Sequence, residues 1–406
     1  MRLALAKKIL FLSNGHGEDA IGAAIIENLL KMGDLSCLDI KAMPLVGRGN
    51  SYARLGIRVL GPCQEMPSGG FMRAGLSFLW KDLKAGWLRM LRKYVNTLKM
   101  EQDSTTLMVC VGDVFLLLLA GLFGKRPIIF LPTAKSDYIG GHYRIEKWLM
   151  RRLCKLVIAR DERTASSLRS SGINAIYVGN AMMDCLRITG ENFETEPGSP
   201  VIGILPGSRK EAYDNLMTIL DGVAIIAEKL FPQKAHFLLC LASSLELKKM
   251  ELVLLKKKDW AMKEAPAEKK RKGIIAYLVS EKGIIVKIVE DRFFGDVLNC
   301  SKVIIGTSGM ANEQAVGLGK PVVAFSGKGA QITKRFLRVQ RKLLGGAVFI
   351  VESNGSAVAE KVCFLLHHPE ELRKVKKVGE ERMGRGGAAE KIARLILSFP
   401  SSPLSS

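Results

Sequence analysis

Two loops in the second half of this chain carry residue types suited to holding a diphosphate. Pro206-Gly207-Ser208-Arg209-Lys210-Glu211 follows the apolar run Val201–Leu205. Its glycine allows close backbone approach, its serine can donate to a phosphate oxygen, and its arginine offers a two-pronged guanidinium. Gly306-Thr307-Ser308-Gly309-Met310-Ala311-Asn312-Glu313-Gln314 follows Lys302–Ile305. Small residues that open a helix suit a diphosphate, because the first N–H groups are unpaired and lie at the positive end of the helix dipole. Glu313, a few residues in, can accept both hydroxyls of a ribose. Gly319-Lys320-Pro321, Gly327, Gly329 and Gln331 come next. Either loop alone is ordinary turn chemistry; both, with an acid and in this order, favour a nucleotide diphosphate site.

The first half offers acids. Asn14-Gly15-His16-Gly17-Glu18-Asp19-Ala20 fits the dinucleotide pattern G-x-G-x-x-[GA], and Asp39 lies about 20 residues on. An NAD-type enzyme is therefore an alternative. Against it, Glu18 and Asp19 fall in the first helical turn, where they would repel a pyrophosphate, and Asp39 sits inside the run CLDIKA. His16 could serve as an acid, a base, a sugar-binding donor or a plain helix cap. Val111-Gly112-Asp113-Val114 places one carboxylate between a strand and an apolar helix. An Asp there is often an N-cap, but it is also where an open α/β sheet presents a base that can deprotonate a hydroxyl. The chain contains no D-x-D, so a metal-bridged diphosphate is not expected. Leaving-group charge would be met by Arg209, backbone donors and a helix dipole.

Such loops must hang from strands. Short Ile/Val/Leu runs alternate with helical patterns throughout, the mark of parallel α/β layers. Strands are predicted at Lys8–Ser13, Leu107–Val111, Pro127–Leu131, Leu156–Ala159 and Ala175–Val178, then at Val201–Leu205, Ala235–Leu241, Ile284–Val289, Lys302–Ile305 and Pro321–Ala324. The polar, turn-rich stretch Gly190–Pro200 separates the two series. Two Rossmann-like domains facing a ligand cleft are expected, at 1–189 and 200–375, followed by C-terminal helices at 376–398 that cross back and a tail at 399–406.

Lys+Arg number 61 against Asp+Glu 39 in 406 residues, for a net charge of +22. Nucleic acid, anionic lipid and phosphorylated substrates all suit that excess, but no zinc finger, RNP-type aromatic motif or basic heptad supports nucleic acid. No apolar run approaches the roughly 18 residues of a membrane span. The start reads as a first strand rather than a signal peptide, and the chain is expected to stay in the cytoplasm. No Cys-x-x-Cys or H-E-x-x-H occurs, and His367-His368 before Pro369 reads as a helix junction. Residues 71–100 form a basic amphipathic stretch, with Met72, Leu76, Leu79, Leu83, Trp87, Leu91, Tyr94 and Leu98 on one stripe. Such a stripe can lie on an anionic membrane or pack on the sheet. Lys248–Lys272 reads as a solvated helix and loop insertion.

ILPGSRKE, GTSGMANEQAVGLGKPVVAF and the VGD-V-F segment resemble those of the lipid A disaccharide synthase family, which are bacterial GT-B glycosyltransferases. The resemblance implies an α/β GT-B fold with a UDP-sugar donor held by the second domain and an acceptor by the first. Asp113 matches the acid of the family's G-x-D-x-P-D segment, the general base; the second Asp of that segment is absent here. Gly207, Ser208 and Arg209 match the donor diphosphate loop, and Thr307, Ser308, Gly309 and Glu313 the second donor loop and ribose acid. Gln331 would touch the sugar. The family's first loop reads A-G-E-x-S-G-D, whereas Asn14, Gly15, His16 and Gly17 depart from it and only Asp19 stays in register. The expected activity is an inverting, metal-independent hexosyl transfer, with Asp113 and His16 acting on the acceptor and no cofactor beyond the donor substrate. The expected partners are the nucleotide-sugar and a lipid acceptor or anionic membrane surface. A UDP-sugar epimerase and a non-catalytic nucleotide- or lipid-binding protein of the same fold are the alternatives.

Overall fold

The computed structural model describes residues 7–32, 37–63, 87–255, 257, 259–327, 329 and 332–400. The chain forms two compact units: Met1–Cys185 with Arg385–Ser406, and Leu186–Gly384.

The first unit is built on β1 (Lys7–Ser13), α1 (His16–Met32), β2 (Leu38–Pro44), β3 (Arg58–Val59), α2 (Trp87–Glu101), β4 (Leu107–Gly112), α3 (Val114–Leu119), β5 (Ile128–Pro132), α4 (Arg144–Leu153), β6 (Cys154–Ile158) and β7 (Ala175–Ile176). Its seven strands lie in the order β3-β2-β1-β4-β5-β6-β7, all parallel. Strands covered on both faces read as continuous apolar runs, and every residue of β4 is buried. The order reverses at β1/β4, where Ser13 pairs with Val111, so the loops after these two strands open side by side.

In the stripe predicted over 71–100, residues 71–86 lie outside the described residues. The remainder, α2, packs on the sheet: Met90, Tyr94 and Leu98 are buried in the core beside Met43 and Leu60. Tyr94 Oη donates to the carbonyls of Pro44 (2.9 Å) and Leu45 (3.1 Å). This part of the stripe is therefore core and not a lipid-facing surface.

The second unit runs through β8 (Val201–Leu205), α5 (Glu211–Leu230), β9 (His236–Leu241), β10 (Trp260–Glu264), β11 (Ile274–Ser280), β12 (Ile285–Glu290), β13 (Val303–Gly306), α6 (Met310–Gly317), β14 (Val322–Phe325), α7 (Lys334–Leu344) and β15 (Val348–Val351). The sheet order is β10-β11-β12-β9-β8-β13-β14-β15. From β12 to β15 it is parallel; β10 and β11 join antiparallel at one edge. Here the order reverses at β8/β13. Within the basic stretch Lys248–Lys272 the expected helix is present, at Leu247–Leu254 and again at Ala267–Arg271, and between the two the chain adds an edge strand, β10, that the sequence did not suggest. Trp260 anchors that strand in the core at 4% exposure, and Lys263 and Glu264 keep its outer part polar.

The C-terminal helices part company instead of forming one block at 376–398. Pro369–Met383 stays with the second unit, whereas Ala388–Ser398 belongs to the first. The reason is an apolar face, Ile392, Ala393 and Ile396, and two charges that complement the helix ends. Asp184 accepts from the N–H groups of Gly387 and Ala389 (2.9 Å for the latter). Buried Lys7 donates to the carbonyls of Ile396 (2.7 Å), Leu397 (3.0 Å) and Phe399.

Candidate functional site

In the second unit the loops after β8 and β13 meet as the strand order requires. Thr307 Oγ1 donates to the Pro206 carbonyl (2.8 Å), and Asn215 Nδ2, from α5, reaches both that carbonyl (3.3 Å) and Thr307 Oγ1 (3.2 Å). Ser244 Oγ donates to the Ser208 carbonyl (2.6 Å). Gln340, buried on α7, holds the second loop by donating to the carbonyls of Ser308 (3.2 Å) and Gly309 (3.0 Å). Gly207 has φ +113°, and a Cβ there would stand 3.2 Å from the Thr307 carbonyl, so the tight pairing of the loops requires glycine.

These contacts frame an open cleft of about 430 Å³ lined by Gly207, Ser208, Arg209, Asn215, Thr307, Ser308, Gly309, Gly327, Gly329 and Ile332, among others. The helices that start at it, α5 and α6, have Lys210 and Gly309 as N-caps, and neither makes a side-chain cap bond. By contrast Asp113, Thr333 and Asn354 each cap their helices with a side-chain oxygen. First-turn N–H groups without such a cap can serve as anion donors; in α5 those of Ala212 and Tyr213 are already taken by the carbonyls of Arg209 (2.9 Å) and Lys210 (3.3 Å), so the start of α6 is the better donor. Arg209 is exposed at the rim. Glu211, one of two acids in the first turn of α5 with Asp214, also lines the cleft and leans against Gly329. Glu313 sits half-buried on α6, outside the lining of the cleft. Gln331 lies outside the described residues.

The loops at β1/β4 in the first unit have the opposite electrostatic character. Gly112 lets Asn14 cross directly over the end of β4, since a Cβ at that glycine would occupy the place of Asn14 Oδ1. Asp113 follows at once and caps α3, accepting from the Leu116 N–H (3.1 Å). Burial raises its carboxyl above the usual range, against the opposing pull of the Leu116 N–H and the Asn14 amide. Asp19 is 2% exposed and accepts from Ser13 Oγ (2.6 Å), which in turn accepts from Tyr52 Oη (2.8 Å). Burial pushes Asp19 up to about 6, with Ser13 and His16 restraining the rise. Glu18 accepts from Thr133 Oγ1 (3.0 Å) and lies over Gly15. His16 is exposed, with its ring beside Gly47, and Gly17 completes the first turn of α1.

Asp39 stands near the start of β2, at the opposite end from the loops. A dinucleotide's ribose acid belongs at the other end of that strand, so the fingerprint read at residues 15–20 lacks its acid partner here. The structure thus gathers Asn14, Glu18, Asp19 and Asp113 in one unit and Gly207, Ser208, Arg209, Thr307, Ser308 and Gly309 in the other. Sequence reasoning missed Tyr52, Thr133, Asn215 and Gln340. Asn215 and Gln340 lie inside helices, and only their burial marks them out.

Two α/β units, each with a largely parallel sheet whose strand order reverses once, are the components of the GT-B fold. Chains of similar fold include a uridine diphosphate N-acetylglucosamine 2-epimerase assigned in Listeria monocytogenes (TM-score 0.61, 14% identity, 97% of this chain and 96% of that one). Another is the calicheamicin glycosyltransferase CalG4 (0.60, 14%, 98% and 98%), and a third is MurG of Acinetobacter baumannii (0.54, 14%, 97% and 100%). In sequence the chain is similar to the lipid-A-disaccharide synthases of Geobacter sulfurreducens (25% identical, 56% of this chain) and Syntrophotalea carbinolica (28%, 55%). These matches span 58% and 56% of the relatives' own length, little more than half. No family model matches the chain.

Proposed function

We propose that this chain is a glycosyltransferase that moves a hexosyl group from a UDP-sugar to a lipid or lipid-precursor hydroxyl, with inversion and without a metal. The observation that carries the reading is the cleft at β8/β13, where two helix N-termini without side-chain caps, Ser208 and Arg209 converge. That donor set suits a diphosphate, and the similarity to lipid-A-disaccharide synthases supports the reaction class. In the transfer, Asp113 takes the proton from the acceptor hydroxyl. The hydroxyl oxygen bonds to the anomeric carbon as the bond from that carbon to UDP breaks. Arg209, Ser208 and the N–H groups at the start of α6 stabilise the departing diphosphate. The raised carboxyl of Asp113 makes it a better proton acceptor than an ordinary aspartate. Glu313 is assigned to the ribose, Gln331 to the donor sugar, and the Asn14–Asp19 loop with His16 to the acceptor. The protein is placed in the cytoplasm, at the membrane face where a lipid acceptor is presented; among the described residues no helix is long and apolar enough to cross a membrane.

Calorimetry with UDP, UDP-N-acetylglucosamine and NAD, without added metal, tests the donor site. Binding of the two uridine nucleotides, weakened in Arg209→Ala, is expected. NAD binding without UDP binding would refute it. Epimerase-type solved structures share the fold, so donor consumption without acceptor is the outcome that would replace transfer by epimerisation.

A further inference from the structure

We infer that Gln340 is a positioning residue for the donor cleft: from behind the loop after β13 it turns the N–H groups of Gly309 and Met310 toward the diphosphate. The inference rests on the reading of that cleft as a diphosphate site. It goes further in naming what sets the direction of the donors.

The sequence of α7, KRFLRVQRKLL, has one inner face of Leu337, Gln340, Leu343 and Leu344, while Lys334, Arg335, Arg338, Arg341 and Lys342 are exposed. An aliphatic side chain at 340 would complete the inner face. An amide there, 3% exposed, is costly to bury unless its groups are bonded. They are. Gln340 Nε2 donates to the carbonyls of Ser308 (3.2 Å) and Gly309 (3.0 Å), and Oε1 accepts from Asn312 Nδ2 (3.1 Å). Asn312, 0% exposed, also donates to the Gly306 carbonyl (3.2 Å). Two buried amides thus hold the carbonyls of residues 306, 308 and 309. Two N–H donors and one acceptor at a single branched end are what a glutamine offers; glutamate lacks the donors and methionine lacks both.

Each of these bonds fixes a whole peptide unit. In a planar trans peptide the C=O and the following N–H point in opposite directions. The carbonyls of Ser308 and Gly309 are drawn toward α7, so the N–H groups of Gly309 and Met310 are turned away from it. Ser308 and Gly309 line the cleft, and among the described residues neither of these N–H groups has an acceptor. The Thr307 N–H, by contrast, is taken by the Leu205 carbonyl (3.0 Å). Regular structure does not impose this orientation, since Gly309 has φ −87° and ψ −91°, neither helical nor extended. The side chain behind the loop does.

The test compares the full chain with Gln340→Met and Gln340→Glu, measuring UDP by calorimetry and uridine by ligand-observed NMR. Methionine keeps the length without the donors; glutamate keeps the acceptor for Asn312 but sets a carboxylate against two carbonyls. UDP should bind at least about tenfold more weakly to both variants, as expected when one or more charge-assisted hydrogen bonds are lost. Uridine, which carries no phosphate, should keep its affinity, whereas a merely structural role would weaken both ligands alike. In the parent, UDP should slow hydrogen exchange at the amides of Gly309 and Met310, and the slowing should disappear in Gln340→Glu. If a variant does not unfold cooperatively, exchange in the parent decides. UDP held equally by parent and folded variants, an equal loss of uridine, or amides at 309 and 310 that exchange as fast with UDP as without it would overturn this inference and leave the donor reading in place. A parent that binds no UDP would overturn both.

Discussion

Asp19 provides a sharp test of the acidic loop, because its environment converts into a free energy. Its carboxyl is 2% exposed, accepts a hydrogen bond from Ser13, and is raised by burial from an ordinary value of 3.8 to about 6. A raised acid holds its proton more tightly in the folded chain than in the unfolded one. Folding is thus unaffected well below 3.8, is penalised as the pH climbs between the two values, and carries the full penalty above about 6. At about 1.4 kcal/mol per pKa unit the full penalty is about 3 kcal/mol, of which about 2 develops between about pH 4 and pH 6. Asp19→Asn keeps the shape and the acceptor oxygen for Ser13 but cannot ionise. Urea unfolding of both proteins across that interval isolates the residue, because every other titration cancels in the difference. The variant should gain about 2 kcal/mol relative to the parent between about pH 4 and pH 6, and little more by about pH 8. Parallel stability curves would show that Asp19 is not desolvated in the folded chain.

Asp113→Asn keeps an N-cap of equal quality and removes a carboxylate whose charged form burial disfavours, so stability above pH 7 should hold or rise while UDP binding persists; transfer should fall by about two to four orders of magnitude in a coupled UDP-release assay. Arg209→Ala removes an exposed charge with no folding role and should weaken UDP by about 1.5–3 kcal/mol in calorimetry, with melting unchanged. Lys7→Met leaves the carbonyls of Ile396 and Leu397 without their donor. It should cost about 2 kcal/mol and speed amide exchange selectively in Ala388–Ser398.

Much of this molecule is legible along the chain, because the chemistry of its loops is local. The buried runs of β4, β5, β8 and β13, and of β1 apart from Lys8, are long enough to read as strands, and the glycines and small residues after them mark the loops proposed to hold ligand. The short or half-polar strands are not legible in the same way. β2 contains Asp39 and Lys41, β3 has two residues, and β11, next to the edge strand β10 and antiparallel to both neighbours, alternates buried and half-buried positions. The resemblance to lipid A disaccharide synthases is carried by contiguous segments and was visible for the same reason. Asn215, Gln340, Tyr52 and Thr133 became site residues only through contacts across long sequence separations, which no local pattern encodes.

The sequence by itself determined the class of the strands, the phosphate-compatible chemistry of residues 207–209 and 307–309, and the acid at 113. The tertiary structure alone decided which of these meet. Strand order makes β1 and β4 neighbours, and β8 and β13 neighbours, so that loops far apart in the chain open together. It also decided which amphipathic helix is core. The apolar stripe of α2 found a sheet to cover, whereas Ile145 and Trp148 on α4 found none. Periodicity gives a helix a face; only packing decides whether that face meets protein or water.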